Sequence, residues 1–140
     1  MRSKFARLAV LLLALTMVVA ACGKKSGGGT VTIGTDKAND KGTQDVSGKS
    51  SFELHLGNDK AKYYFEPTVL KGTPGQQLTL TLKNVGNTLH NFSVVGSEAN
   101  GVDVQAGQQG STQVTFPQSG FVEFFCKYHR ALGMAGELLV

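Results

Sequence analysis

Four side chains in the C-terminal half of the chain have the chemistry of metal ligands. Cys126, His129 and Met134 lie in the segment FFCKYHRALGM, residues 124–134, and His90 begins the earlier segment HNFSVV. Zinc sites usually take four firm ligands. A trigonal set of two imidazoles and one thiolate, with a weak thioether, instead suits copper in both of its oxidation states. The residue types therefore predict one copper ion, provided that the fold brings these side chains together.

An alternation of apolar and polar residues predicts short strands from residue 51 onward. It recurs in the segments FELHL, QLTLTLKN, HNFSVV, TQVTF, GFVEFFC and GELLV, which are separated by turn sequences such as KGTPGQ, GSEANG and PQSG. Period-two alternation with turn residues between the runs is typical of strands in an all-β domain. We therefore expect an antiparallel Greek-key β-sandwich over residues 51–140.

The faces of two predicted strands explain how the four side chains meet. His90 shares a face with Phe92 at the start of one strand, and Cys126 shares a face with Phe124 at the end of another. If these strands run antiparallel, the start of one lies beside the end of the other. The segment 127–133 then folds His129 and Met134 over the same point.

The two metal-binding segments resemble those of the cupredoxins, most closely the plastocyanin-like group. The resemblance rests on HNF at residues 90–92 and on the Cys-x₂-His-x₄-Met spacing, and it extends over about residues 51–140. It implies that His90, Cys126 and His129 are equatorial copper ligands and that Met134 is the axial ligand. It also implies that Asn91 supports the cysteine loop by hydrogen bonds. Lys127 departs from the small residue or proline that many plastocyanins have after the cysteine.

Residues around His129 could form a docking surface for a redox protein. The family resemblance implies an apolar patch of Leu89, Ala131 and Leu132 around the edge of this histidine. Lys127 and Arg130 flank it, and they could form a positive rim that steers an acidic partner. The alternative is that both are solvated loop charges.

The N-terminal segment has the features of an export signal. Basic residues precede the apolar run LAVLLLALTMVVAA at residues 8–21, which is shorter than the ~18 residues of a membrane span. Val19-Ala20-Ala21-Cys22 resembles the lipobox of bacterial lipoproteins, in which the cysteine carries lipid. We therefore expect a signal peptide at residues 1–21 and lipidation of Cys22. Residues 22–50 are polar and glycine-rich, which predicts a flexible tether, with residues 30–34 left open as an edge strand.

Charge and cysteine content narrow the range of functions. Removing Arg2, Lys4 and Arg7 from the 14 basic residues leaves 11 against 10 acidic ones, so the exported chain is close to neutral. Nothing in it favours a nucleic-acid partner. With Cys22 lipidated, Cys126 has no disulfide partner within the chain and is left for a metal.

These features predict a monomeric blue copper protein that carries single electrons at the outer face of the cell membrane. It would be held there by its lipid and would exchange electrons with redox protein partners. The alternative is a copper-binding protein for delivery or homeostasis. An enzyme is not expected, because copper reductases and oxidases need a second, open copper site, and only His55 remains to build one.

Overall fold

Two β-sheets pack face to face in the computed structural model, which describes residues 28–140. The four-stranded sheet has the order β10-β7-β4-β5 and the six-stranded sheet the order β3-β6-β12-β11-β8-β9, while β1 and β2 form a separate hairpin. The strands are β1 Thr30–Ile33, β2 Asp36–Asn39, β3 Thr43–Asp45, β4 Ser51–Asp59, β5 Lys62–Glu66, β6 Val69–Lys71, β7 Gln77–Asn84, β8 His90–Val94, β9 Val102–Val104, β10 Gln109–Thr115, β11 Phe121–Phe125 and β12 Ala135–Leu139. Two 3-10 helical turns lie in connections between strands: Glu98–Asn100 between β8 and β9, and Arg130–Leu132 between β11 and β12. The predicted all-β sandwich is confirmed.

Most strand pairs are antiparallel, as predicted, but the sheets also contain parallel pairs that the sequence did not indicate. Strands β4 and β7 are parallel, as are β6 and β12, and β3 and β6. Alternation specifies which residues face the core but not the direction of the neighbouring strand. That direction depends on the long connections, which place strands distant in sequence side by side.

The main core lies between the two sheets, where the alternating apolar residues meet. In β7, Leu78, Leu80 and Leu82 are all fully buried. On the facing sheet, Phe124 contributes a ring whose centroid lies 5.0 Å from that of Phe65, in an edge-to-face arrangement. Such aromatic pairs stabilise a core beyond the area that they bury.

Strands β8 and β11 run antiparallel, which meets the condition for His90 and Cys126 to lie close together. Phe124 pairs with Val94 and Phe125 pairs with Ser93. The end of β11 therefore lies beside the start of β8, which brings Cys126 to the end of the sandwich where His90 begins its strand.

The prediction of a flexible tether over residues 22–50 is wrong for residues 30–46. Strand β3 pairs with β6 at the edge of the six-stranded sheet, and Val46 is fully buried in the main core. Ile33 and Ala38 of the β1–β2 hairpin are fully buried in a second core cluster, together with Phe125. A few well-spaced apolar residues are enough to attach this polar segment to a sheet that already exists.

The remaining N-terminal predictions lie outside the described residues. These are the signal peptide at 1–21, the lipidated Cys22 and the first part of the tether. Of residues 30–34, Thr30–Ile33 form strand β1, which pairs with β2 and does not extend either large sheet. Within residues 28–140, no helix has the length and apolar character needed to cross a membrane.

Candidate metal centre

Three of the predicted side chains converge at one end of the sandwich. The ligand-type atoms of His90, Cys126 and His129 all lie within 4.8 Å of one another. The Cys126 Sγ and His129 Nδ1 atoms are 3.5 Å apart. Cys126 and His90 are completely buried, and His129 is half-buried. The fold thus brings one thiol and two imidazoles together around a point just below the surface.

The loop of residues 126–134 holds its shape through its own backbone. The amide of His129 donates to the Cys126 carbonyl at 3.1 Å, and the amide of Cys126 donates to the Met134 carbonyl at 3.0 Å. Between them, Gly133 adopts a left-handed conformation with φ of 88°. Glycine takes this conformation without the steric cost that a side chain adds. The turn returns the chain to β12 and places Met134 directly before that strand.

Met134 is fully buried in the same core cluster as Cys126. Its amide donates to the His129 carbonyl at 3.2 Å. The segment therefore joins all three predicted ligands of the C-terminal motif by direct backbone hydrogen bonds. A buried thioether at this position matches the weak fourth donor that the sequence predicts.

The imidazole of His90 is available to bind a metal ion. Both ring nitrogens are buried, and neither has a hydrogen-bond partner. Burial, aided by the nearby His129, lowers the pKa of His90 to about 4. The imidazole is therefore neutral at physiological pH and retains a lone pair. An unpaired buried polar atom is costly to the fold, and a metal ion would satisfy it.

The other two members of the cluster respond to burial in the expected directions. Burial raises the pKa of the Cys126 thiol, although hydrogen bonds from nearby backbone amides oppose this effect. Burial also lowers the pKa of His129. A metal ligand must be a thiolate or a neutral imidazole. Both histidines already favour the binding form, whereas the thiol must release a proton.

Asn91 links the start of β8 to the cysteine loop. The backbone amide of Asn91 donates to Cys126 Sγ at 3.3 Å, and its side-chain oxygen accepts from the backbone amide of Lys127 at 3.3 Å. Its side-chain nitrogen donates to the Asp103 carboxylate at 2.8 Å. Asn91 thus makes the type of contact that the resemblance implies, and Asp103 anchors it in turn.

The two cations near His129 are both paired within the chain. Lys127 Nζ lies 2.9 Å from Asp103, and Arg130 Nε lies 2.6 Å from Asp36. These carboxylates offset much of the positive charge that a steering rim would need. The apolar residues divide differently, since the side chain of Leu132 is 52% exposed and Leu89 is only partly exposed.

The comparison with known families accounts for this donor set. Residues 52–140 match the model of copper-binding proteins of the plastocyanin/azurin family. The chain belongs to this family. The cluster of two histidines and one cysteine, together with the buried Met134, fits one type 1 copper ion.

Solved structures share the cupredoxin fold at low sequence identity. One is a dithionite-reduced auracyanin from the photosynthetic bacterium Roseiflexus castenholzii, at 18% identity and a TM-score of 0.54, with 66% of this chain and 97% of that chain covered. Another is a copper-containing nitrite reductase from Thermus scotoductus, at 19% identity and a TM-score of 0.53, with 64% and 27% covered. A third is a heme-copper terminal oxidase, at 20% identity and a TM-score of 0.51, with 66% and 65% covered. A search of curated protein sequences found no match.

Sequence reasoning missed two residues at this cupredoxin centre. The Tyr63 ring stacks on the His129 ring, with centroids 4.0 Å apart and an angle of 13° between the planes. Tyr63 lies two residues before the buried Phe65 in strand β5, so the two side chains share a strand face, and this alternation is a usable signal. Asn39 bonds to the 126–134 loop, and no sequence pattern marks it.

Proposed function

We propose that this cupredoxin is an electron carrier that works at the outer face of the cell membrane. His90, Cys126 and His129 would bind the copper ion, with Met134 as the weak fourth ligand. The bound ion would supply a one-electron couple between Cu(I) and Cu(II). The observation that supports this role most directly is burial, because three of the four side chains are fully buried and His129 is half-buried.

The half-buried His129 would provide the route for the electron. Its neighbours Tyr128 and Leu132 are 45% and 52% exposed. An apolar edge of this kind suits a short-lived contact with a redox protein, because it needs few charged groups to be desolvated. Lys127 and Arg130 are already paired within the chain. We therefore expect the association rate to depend only weakly on salt.

Spectroscopy of the copper-loaded chain tests the ligand assignment. We expect an intense blue colour that a reductant bleaches and an oxidant restores. The variant Cys126→Ser should remain folded and lose the colour, because the thiolate is the donor that produces it. A colourless copper complex of the unchanged chain would contradict the assignment, as would a Cys126→Ser variant that stays blue.

Copper delivery is the alternative that exchange measurements separate. A delivery protein must release its metal readily, whereas this donor set lies below the surface. We expect slow loss of copper to a competing chelator together with reversible redox cycling. Rapid loss would favour delivery. An enzyme would need a second, open metal site, and the one histidine left over, His55, bonds to Glu53 at 2.8 Å on the outside of β4.

Anchoring through a lipid on Cys22 would set the orientation of the domain. The carbonyl of Gly29 accepts from the Asp40 amide at 3.0 Å, and Thr30 pairs with Asn39, which bonds in turn to the 126–134 loop. Seven peptide steps separate Cys22 from Gly29 and span at most about 25 Å. The chain thus enters the domain at the end of the sandwich that holds the 126–134 loop. We therefore expect this end to lie near the membrane and to meet a partner there.

Two experiments test the anchor and the orientation. Cys22→Ala should move the protein from the membrane fraction to the soluble fraction, and the mass of the unchanged protein should include the lipid. On vesicles that carry a gadolinium-chelate lipid, the Cu(II) signal should relax faster than in a variant with about 20 Gly/Ser residues inserted after Lys25, which lengthens the reach. Equal relaxation in the two proteins would exclude the proposed orientation.

A further inference from the structure

The β1–β2 hairpin contacts the copper-binding loop, although it lies outside the matched family segment of residues 52–140. Asn39, the last residue of β2, makes most of these contacts. The backbone amide of Asn39 donates to the Gly133 carbonyl at 2.9 Å. Its side-chain nitrogen donates to the carbonyls of Leu132, at 2.9 Å, and Tyr63, at 2.8 Å. One residue therefore joins the hairpin, the loop and strand β5.

A second contact between hairpin and loop is ionic. Arg130, directly after His129, lies 2.6 Å from Asp36 of β2 and 3.1 Å from Glu123 of β11. Its guanidinium also lies 4.3 Å from the centre of the Phe125 ring. The side chains of Asp36 and Glu123 are only 23% and 16% exposed. Ion pairs with partly buried carboxylates are screened less by salt than those at the surface.

A third contact comes from strand β5 and involves the ring of His129 itself. The Tyr63 ring stacks on it at 4.0 Å and also lies edge-to-face with the His90 ring, at 6.1 Å between centroids. The carbonyl of Tyr63 is one of the two that Asn39 binds. The same network therefore holds both the backbone after His129 and the ring of this histidine.

We propose that Asp36, Asn39 and Tyr63 form a brace that holds His129 and Met134 in the copper-binding arrangement before the metal arrives. They are positioning residues, since they act on copper through the ligands. A brace of this kind lowers the ordering cost that metal binding would otherwise carry. Residues that orient metal ligands typically change metal affinity by about 10–100-fold when they are altered. The inference rests on the copper site and is independent of the electron-carrier role.

Asn39→Ala tests the brace against a matched control. Gln76→Ala also removes a side chain that donates to two backbone carbonyls of the N-terminal segment, those of Val46 and Lys49, at 2.8 and 2.9 Å. Gln76 precedes β7 at the end of the sandwich opposite the copper centre. The two readouts are amide hydrogen exchange of residues 132–134 in the copper-free full chain and the rate of copper loss to a chelator.

We expect Asn39→Ala to accelerate exchange of the loop amides and to raise the rate of copper loss by about 10–100-fold, whereas Gln76→Ala leaves both unchanged. Asp36→Asn, which keeps the shape of the side chain, should act in the same direction and serves if Asn39→Ala fails to fold. Unchanged loop exchange in both Asn39→Ala and Asp36→Asn would overturn the proposal, as would an equal effect of Gln76→Ala.

Tyr63 variants test the stacking contact separately. Tyr63→Phe keeps the ring, so it should preserve both the reduction potential and the blue spectrum. Tyr63→Leu removes the stacked ring. It should shift the reduction potential and change the couplings to the histidine nitrogens in the electron paramagnetic resonance spectrum of Cu(II). Identical potentials in the two variants would remove Tyr63 from the brace. A failure of the chain to bind copper in any form would instead count against the site itself.

Discussion

Replacing Gly133 by alanine should damage the copper loop for two separable reasons. The backbone at this position has φ of 88°, which disfavours any residue with a side chain. In addition, a Cβ here would lie 2.6 Å from the Asn39 side-chain nitrogen and 3.2 Å from the Lys37 carbonyl oxygen. Real Cβ atoms do not approach other atoms so closely, so the Asn39 side chain must move.

The magnitude follows from adding these two effects. The left-handed conformation costs a non-glycine residue about 1–2 kcal/mol. Displacing Asn39 breaks its bonds to the carbonyls of Tyr63 and Leu132, each of which contributes about 0.5–1.5 kcal/mol. We therefore expect Gly133→Ala to lower the free energy of unfolding by about 2–5 kcal/mol, as these two contributions together require.

Gly120→Ala isolates the backbone contribution. Gly120 has φ of 70°, and a Cβ there would meet no atom within 4 Å, so its cost should be about 1–2 kcal/mol. Urea unfolding of the copper-free protein measures both variants. The excess cost of Gly133→Ala should shrink in an Asn39→Ala background, because the displaced bonds are already absent. Equal costs for the two glycines, or an excess that persists without the Asn39 side chain, would refute the reasoning.

Three further predictions concern the centre and the core beneath it. Copper at about 100 times its Kd should raise the free energy of unfolding by about 2.7 kcal/mol, as measured by urea unfolding, and Cys126→Ser should abolish most of this gain. Asn84→Ala removes bonds to the carbonyls of Thr88 and Val104; it should cost about 2–4 kcal/mol and speed copper loss, because these bonds hold the turn before His90. Phe124→Ala should cost about 3–5 kcal/mol in the same unfolding assay, since its ring is fully buried. A cost below about 1 kcal/mol for either substitution would contradict the packing on which it is based.

Sequence patterns located most of the longer strands within a few residues, but they missed β5, Lys62–Glu66, and the three-residue strands. QLTLTLKN corresponds to β7, Gln77–Asn84, with its three leucines buried as predicted. Strands β3, β6 and β9 have three residues each, too few for an alternation to be detected. Such strands form because a neighbouring strand offers unpaired hydrogen-bonding groups, and this property belongs to the assembled sheet.

The candidate copper centre was predictable because its side chains carry distinctive chemistry. One thiol, two imidazoles and one thioether have few other uses in such spacing, and the strand faces indicated that His90 and Cys126 would meet. The brace was not predictable in this way. Asn39 and Asp36 are ordinary polar residues in a glycine-rich segment, and nothing local distinguishes them from residues of a solvated linker.

By itself, the sequence determined the chemistry of this protein. The residue types favour copper, and the period-two alternation predicts strands in which His90 and Cys126 share a face with buried aromatic residues. Tertiary structure decided the directions of the strands, the incorporation of residues 30–46 into the domain and the stacking of Tyr63 on His129. The physical reason is range: ligand chemistry and side-chain alternation are properties of adjacent residues, whereas pairing partners and the bonds of Asn39 exist only after distant segments have packed together.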